Sequence, residues 1–224
     1  MSAAAVRAAV VRLARTLAQR GYLAGTGGNI ALRIDTETFA VTPSATDYYG
    51  MQAEDVPLLR IRDLARLAGT RTPSVESSLH ARVFRDRPDC TWSIHTHQPV
   101  ASACALLGAP LDVETSAARM LLGPRVALVG YAPSGTRWLA ARLGRALRPT
   151  INAYLMRNHG ILCCGTQLAT ALDTVAALEA ICAAHVRARL LARAAQDARN
   201  RAPLTSLVAT LDERRAAPMS RSPA

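Results

Sequence analysis

Thr91-Trp92-Ser93-Ile94-His95-Thr96-His97 reads as a short strand that closes on two histidines two residues apart. Side chains two apart on a strand point the same way, so His95 and His97 present two imidazoles from one edge of a sheet. Downstream, Tyr154-Leu155-Met156 reads as another strand, delivering Asn158-His159-Gly160 into a tight turn. Three imidazoles from two elements make a His₃ set, which leaves a coordination position open for water or substrate, as catalytic metal sites do. Glu76, on a candidate helix upstream, supplies a carboxylate for proton transfer. A lone histidine is more often a hydrogen-bonded core or surface residue, and H-x-H alone is a weak signal. The two strand ends give this pair its weight.

The surrounding composition fits an enzyme body. The 224 residues suit one domain with a substantial core, half of them hydrophobic and 19% charged. A net charge of +11 comes almost wholly from arginine. The arginines are scattered, aromatics are scarce and no nucleic-acid motif occurs, so the excess reads as solvated helix faces, with a small anionic substrate as the charged partner rather than nucleic acid. Cys90, Cys104, Cys163, Cys164 and Cys182 form no C-x-x-C pair, and their odd number argues against a disulfide framework, so a reduced, cytoplasmic setting is expected. Residues 1–34 lack acidic side chains, as transit peptides do, but Val6, Val10, Leu13 and Leu17 fall on one face of a helix that reads as folded. No apolar run is read as long enough to span a bilayer, and no membrane partner is expected.

From the histidines outward, the first helix ends near Gly21. Gly25-Thr26-Gly27-Gly28-Asn29 leads into a strand with alternating Ile30, Leu32 and Ile34, and Phe39 and Val41 mark its hairpin partner. Thr42-Pro43-Ser44 is a loop. Ser74 is placed as the N-cap of a helix from about Val75 to Arg87, stopped by Pro88, on which Glu76 and His80 share a face. A helix from Pro99 to Leu107, a strand from Val126 to Val129, a helix from Thr136 to Leu147, and strands at Ile151–Met156 and Ile161–Cys164 follow. Leu168, Leu172, Val175, Leu178, Cys182 and Val186 trace a long last helix to about Ala195. Residues 1–199 are thus read as one domain and 200–224 as a mobile tail, save for a short helix through Leu207 and Leu211. His80 reads as a packing or supporting residue and His185 as structural.

These segments in this order resemble the class II aldolase/adducin family, in particular its small bacterial sugar-phosphate aldolases, over roughly residues 5–195. The carriers are Gly25-Thr26-Gly27-Gly28-Asn29, Thr42-Pro43-Ser44, Pro73-Ser74-Val75-Glu76, Ile94-His95-Thr96-His97, Tyr131-Ala132-Pro133 with Gly135-Thr136, and Asn158-His159-Gly160. The resemblance implies an α/β fold with three α/β/α layers around a largely antiparallel sheet, and a homotetramer with active sites between subunits. It implies that His95, His97 and His159 hold one divalent metal, usually zinc and in some members manganese, cobalt or iron, and that Glu76 is the acid/base. Thr26, Gly28, Asn29, Thr42, Ser44 and Ser74 fall where the family grips a substrate phosphate, which small residues and exposed amides suit. The Gly25 loop is not a dinucleotide fingerprint, since it lacks a glycine at position 30 and precedes a strand.

The implied activity is metal-dependent retro-aldol cleavage of a hydroxy-ketone or sugar-phosphate-like substrate through an enediolate. Decarboxylation, epimerisation or dehydration at the same site, and iron-dependent oxygenation, are the enzymatic alternatives; an adducin-like interaction module is the non-enzymatic one, against which the retained histidines argue. Three departures stand out: Val75 replaces a serine, Ala45 replaces the glycine after Thr-Pro-Ser, and Asp112–Ser116 contains no tyrosine, Ser116 being the nearest match.

Overall fold

The computed structural model describes residues 2–216 apart from Ala24 and Thr26, so the Thr26 assignment lies outside the described residues. Among these, nine strands form one mixed sheet: β1 (Asn29–Arg33), β2 (Thr38–Val41), β3 (Leu58–Arg60), β4 (Arg66–Ala68), β5 (Trp92–Thr96), β6 (Leu111–Asp112), β7 (Arg125–Val129), β8 (Ala153–Met156) and β9 (Gly160–Gly165). Their order is β4-β3-β2-β1-β5-β9-β8-β7-β6. Every neighbouring pair is antiparallel except β7 and β8, whose connection carries a helix, as a parallel crossover requires. The expected antiparallel sheet is present with this one parallel pair.

The helices are α1 (Ala3–Gln19), α2 (Ser77–Asp86), α3 (Pro99–Leu106), α4 (Ser116–Leu122), α5 (Arg137–Ala146), α6 (Ala171–Gln196) and α7 (Arg201–Ala216). The apolar stripe of α1 buries Val6, Val10, Leu13 and Leu17 as its spacing predicts. Strand residues divide by parity between two apolar clusters. Ile30, Leu32, Trp92, Ile94, Ile161 and Cys163 join α1, α3 and α6, whereas Ala31, Leu162 and Cys164 join α2 and α5. Period two therefore gives the central strands two buried faces, which is why β5, β8 and β9 are buried at every position.

Several boundaries differ from the sequence reading. Helix α2 begins two residues later than Val75, with Glu76 at its N-cap; the Ser74 hydroxyl instead accepts from the Glu76 amide at 3.2 Å, an intervening turn that holds Glu76 out of the helix. Strands β3, β4 and β6 and helix α4 were not expected. Two or three residues with arginine or aspartate among them carry no readable alternation, and the β4 edge is exposed at Arg66 and Leu67. Within the stretch read as a mobile tail lies the 16-residue α7, tied to α6 by Arg187 and Asp212 at 3.0 Å and by buried Val208. Contrary to the sequence reading, Leu168–Gln196 is long and apolar enough to cross a membrane by length and composition. One face of it is core, through Val175, Leu178 and Cys182.

Candidate active site

Sheet register assembles the site. Strands β1 and β9 both run antiparallel to β5, so their first residues lie at its last ones: Asn29 pairs with His95, and Ile161 with Thr96. Asn29, His95 and His159, distant in sequence, thus arrive at one end of three adjacent strands. His95, His97 and His159 bring one ring nitrogen each to within 4.8 Å of one another. Backbone geometry makes this closeness feasible. Asn158 adopts a left-handed φ of 55° to swing His159 into place. At Gly160 a Cβ would come within 2.5 Å of His97 Cδ2 and 2.7 Å of the Thr96 carbonyl, so only glycine lets β9 pass the two histidines.

Glu76 lies among them and is buried. Its Oε2 is 3.2 Å from His95 Nε2, and its Oε1 is 3.0 Å from His159 Nε2. Two further donors fix the carboxylate: Asn29 Nδ2 to Oε2 at 2.8 Å, and Ser134 Oγ to Oε1 at 2.8 Å. Burial by itself raises a carboxyl pKa. The hydrogen bond from His159, the charge of His95 and the Asn29 amide outweigh it, and Glu76 sits well below the ordinary carboxylate range.

Behind the carboxylate runs a directional chain. The Asn29 carbonyl oxygen can only accept, so His80 Nε2, 2.6 Å away, carries the hydrogen, and His80 Nδ1 accepts from the Ser93 hydroxyl at 2.8 Å. His80 is fully buried, and desolvation, reinforced by His95, brings its pKa down to about 3. It supports Glu76 through Asn29, in keeping with the supporting role read from the sequence. His95 is likewise depressed by burial, to about 4 against the pull of Glu76, and His97 is lowered by burial and by His159.

The donor set fits a divalent metal. His95 Nδ1 meets the Ile161 carbonyl at 2.6 Å, which assigns its hydrogen and leaves Nε2 as a lone pair. His97 Nε2 is 3.0 Å from His95 Nε2, a hydrogen bond in which His97 donates to that lone pair; moving the His97 hydrogen to Nδ1 would leave both Nε2 atoms free to hold a cation together with His159.

The residues expected to hold the substrate lie on adjoining backbone. The Ser74 amide donates to the Thr42 carbonyl at 3.1 Å, the Ser44 amide to the Thr72 carbonyl at 2.8 Å, and the Ile30 amide to Thr42 Oγ1 at 3.2 Å. Gly28 has φ 86°, and a Cβ there would be 2.9 Å from the His95 carbonyl; its own carbonyl accepts from Tyr48 at 2.6 Å. Burial, then the charge of Glu76, pushes the Tyr48 hydroxyl up to about 12, so it remains a proton donor. Asn29, by contrast, spends its amide on Glu76 and His80.

Two contributors escaped the sequence reading. Ser134 falls in the gap between Tyr131-Ala132-Pro133 and Gly135-Thr136, and an isolated serine in a loop carries no signal. Glu179 on α6 accepts from the Val100 and Ala101 amides at 2.9 and 2.8 Å, capping α3 immediately behind His97. Ser116 begins α4 and is exposed, while His185 lines a separate cavity beside Asp112 and Glu114.

The chain is similar to known proteins in sequence and fold. The profile described as Class II Aldolase and Adducin N-terminal domain matches residues 8–186. The chain is 32% identical over 157 residues to a 5-deoxy-D-ribulose 1-phosphate aldolase of Bacillus thuringiensis serovar kurstaki, covering 70% of this chain and 72% of that protein. It is 27% identical over 175 residues to a 3-oxo-tetronate 4-phosphate decarboxylase of Haemophilus influenzae, covering 76% and 81%. Its fold superposes on a solved L-fuculose 1-phosphate aldolase with a TM-score of 0.77 at 26% identity, covering 84% of this chain and 88% of the other. With three histidines and a buried carboxylate at one sheet end, and a profile that spans most of its length, the chain belongs to the class II aldolase/adducin family, whose aldolases are metal-dependent lyases.

Proposed function

We propose that this lyase performs retro-aldol cleavage of a hydroxy-ketone bearing an anionic, sugar-phosphate-like group, with Glu76 as acid/base. The observation that carries the reading is the Glu76 carboxylate, buried yet ionised, within 3.2 Å of two of the three converging imidazoles. His95, His97 and His159 would hold the metal, zinc by preference of a three-nitrogen site, with manganese, cobalt or iron as substitutes. Held there, a divalent cation would supply Lewis-acid polarisation of the substrate carbonyl and offset the negative charge developing on its oxygen. Glu76, ionised at the outset, takes the proton of the hydroxyl on the far carbon of the breaking bond; that carbon leaves as the aldehyde carbonyl, and the bonding electron pair passes to the α carbon. The now protonated Glu76 returns its proton to the α carbon, and Asn29 and Ser134 keep its two oxygens aimed during both halves of the exchange.

Substrate binding follows from the unused donors. Thr42 and Ser74 accept from backbone amides, so their hydroxyl hydrogens remain to be offered to an anion, as does the hydroxyl of half-buried Ser44. Thr26, Gly28 and Asn29 complete the proposed grip, with Asn29 acting on Glu76 as well. Decarboxylation is the second reading, favoured by the likeness to the Haemophilus influenzae decarboxylase.

Exposed Val75, Tyr131 and Trp138 flank the loop that carries Ser134, and these apolar surfaces support a homotetramer with its sites at subunit boundaries. We also propose a cytoplasmic enzyme and a three-layer α/β/α domain over residues 1–199, against which α7 packs. The metal-loaded protein is tested against ketose 1-phosphates, free ketoses and 3-oxo acid phosphates, with aldehyde and carbon dioxide both measured. Aldehyde release from a phosphorylated ketose supports the aldolase. Carbon dioxide without aldehyde replaces it with the decarboxylase. Sedimentation of a stable, active monomer would exclude shared sites.

A further inference from the structure

The outer face of α2, opposite His80, carries a second concentration of polar side chains. Ser78, Arg82 and Arg85 form one stripe at helical spacing, and with Arg62 and Arg137 they line a cavity of about 420 Å³ between α2, α5 and the turn at Asp63. Four guanidinium groups face only two carboxylates, those of Asp63 and Asp86, so the cavity is cationic.

Two of the arginines are held by hydrogen bonds, and Arg62 stands beside a carboxylate. Arg82 Nε donates to Asp86 at 2.7 Å, and its guanidinium lies so near Gly144 of α5 that a Cβ there would come within 2.5 Å of it. Arg85 Nη1 donates to the Arg62 carbonyl at 3.2 Å, and Arg62 Nε stands 3.6 Å from Asp63. Each keeps further N–H groups for a ligand, and Arg137 at the first turn of α5 makes no ion pair among the described residues. Buried hydroxyls ordinarily find a partner, yet Ser78 Oγ is buried without one and lines this cavity.

From these observations we propose that the α2–α5 cavity is a binding site for a phosphate-bearing small molecule, distinct from the histidine centre. Guanidinium groups held in place match phosphate oxygens in pairs and lose little freedom on binding, and Ser78 adds a hydroxyl donor. The volume falls within the range of small-molecule sites and exceeds a bare phosphate, which points to a diphosphate or an organic phosphate ester.

Calorimetric titration of the metal-loaded protein with inorganic pyrophosphate, alongside its Arg85→Gln/Arg137→Gln variant, tests this. A change confined to the histidine centre would be the same in both proteins. Saturable binding with a dissociation constant of about 1 mM or tighter is expected, weakened about tenfold or more in the variant, since a charge-assisted hydrogen bond is worth at least that much. Bound pyrophosphate should also raise the melting temperature of the wild type, because it bridges two helices and a turn. If the double variant fails to fold, Arg137→Gln alone, at an exposed position without an ion pair, takes its place. Absence of saturable binding, or equal affinity in wild type and variant, overturns the proposal.

Discussion

His80 makes stability depend on pH by an amount that can be worked out. Its ordinary pKa of 6.5 falls to about 3 in the fold, where desolvation leaves only the neutral ring. The unfolded chain binds this proton first as pH falls, so the stabilisation is complete above pH 6.5 and is lost progressively toward pH 3. At 1.36 kcal/mol per pH unit, this one imidazole costs about 2 kcal/mol by roughly pH 5, and about 4 kcal/mol by about pH 3. Those losses are large beside the usual ~5–15 kcal/mol of a domain. Urea unfolding of the chelator-treated protein at pH 7 and about pH 5, compared with His80→Gln, isolates the share. Glutamine retains a donor toward Asn29 and an acceptor toward Ser93 but does not titrate, so the variant should lose about 2 kcal/mol less over that interval, while His95 leaves a residual slope. Equal losses in both proteins would show that burial does not hold His80 neutral in the fold.

Glu76→Gln should keep metal and fold yet reduce turnover by about 10²- to 10⁴-fold, the usual worth of a positioned proton-transfer group; undiminished exchange of the substrate α proton in the variant would rule Glu76 out. The His95→Ala/His97→Ala protein should purify without the single divalent ion per chain expected of the wild type, as measured by elemental analysis, and retention of metal would refute the assignment. Chelation of the wild type should abolish activity while leaving far-ultraviolet circular dichroism nearly intact, because two apolar clusters hold the fold without an ion. Ala45 has φ 47°, a region costing a non-glycine residue about 1–2 kcal/mol, whereas glycine's extra chain entropy costs about 0.5–1 kcal/mol. Ala45→Gly should therefore raise stability by up to about 1 kcal/mol in urea titration, and clear destabilisation would show that the methyl packs.

Local pattern made part of this protein legible from its residues alone. Alternation marked β1 and β2, the spacing of Val6, Val10, Leu13 and Leu17 marked α1, and H-x-H at a strand end put two imidazoles on one face, because these signals depend only on the geometry of a single element. The order of motifs was enough to place the chain in its family. Tertiary structure decided what local pattern has no means to encode. Antiparallel register around β5 set Asn29 beside His95 and drew His159 to the same sheet end. Only the folded chain shows Asn29 turned toward Glu76 and His80, Ser134 closing on the carboxylate, and Glu179 reaching from α6 to cap α3. Each of these is a hydrogen bond between residues more than forty positions apart, whose partner is fixed by the packing of whole elements and leaves no trace in the spacing of either neighbourhood.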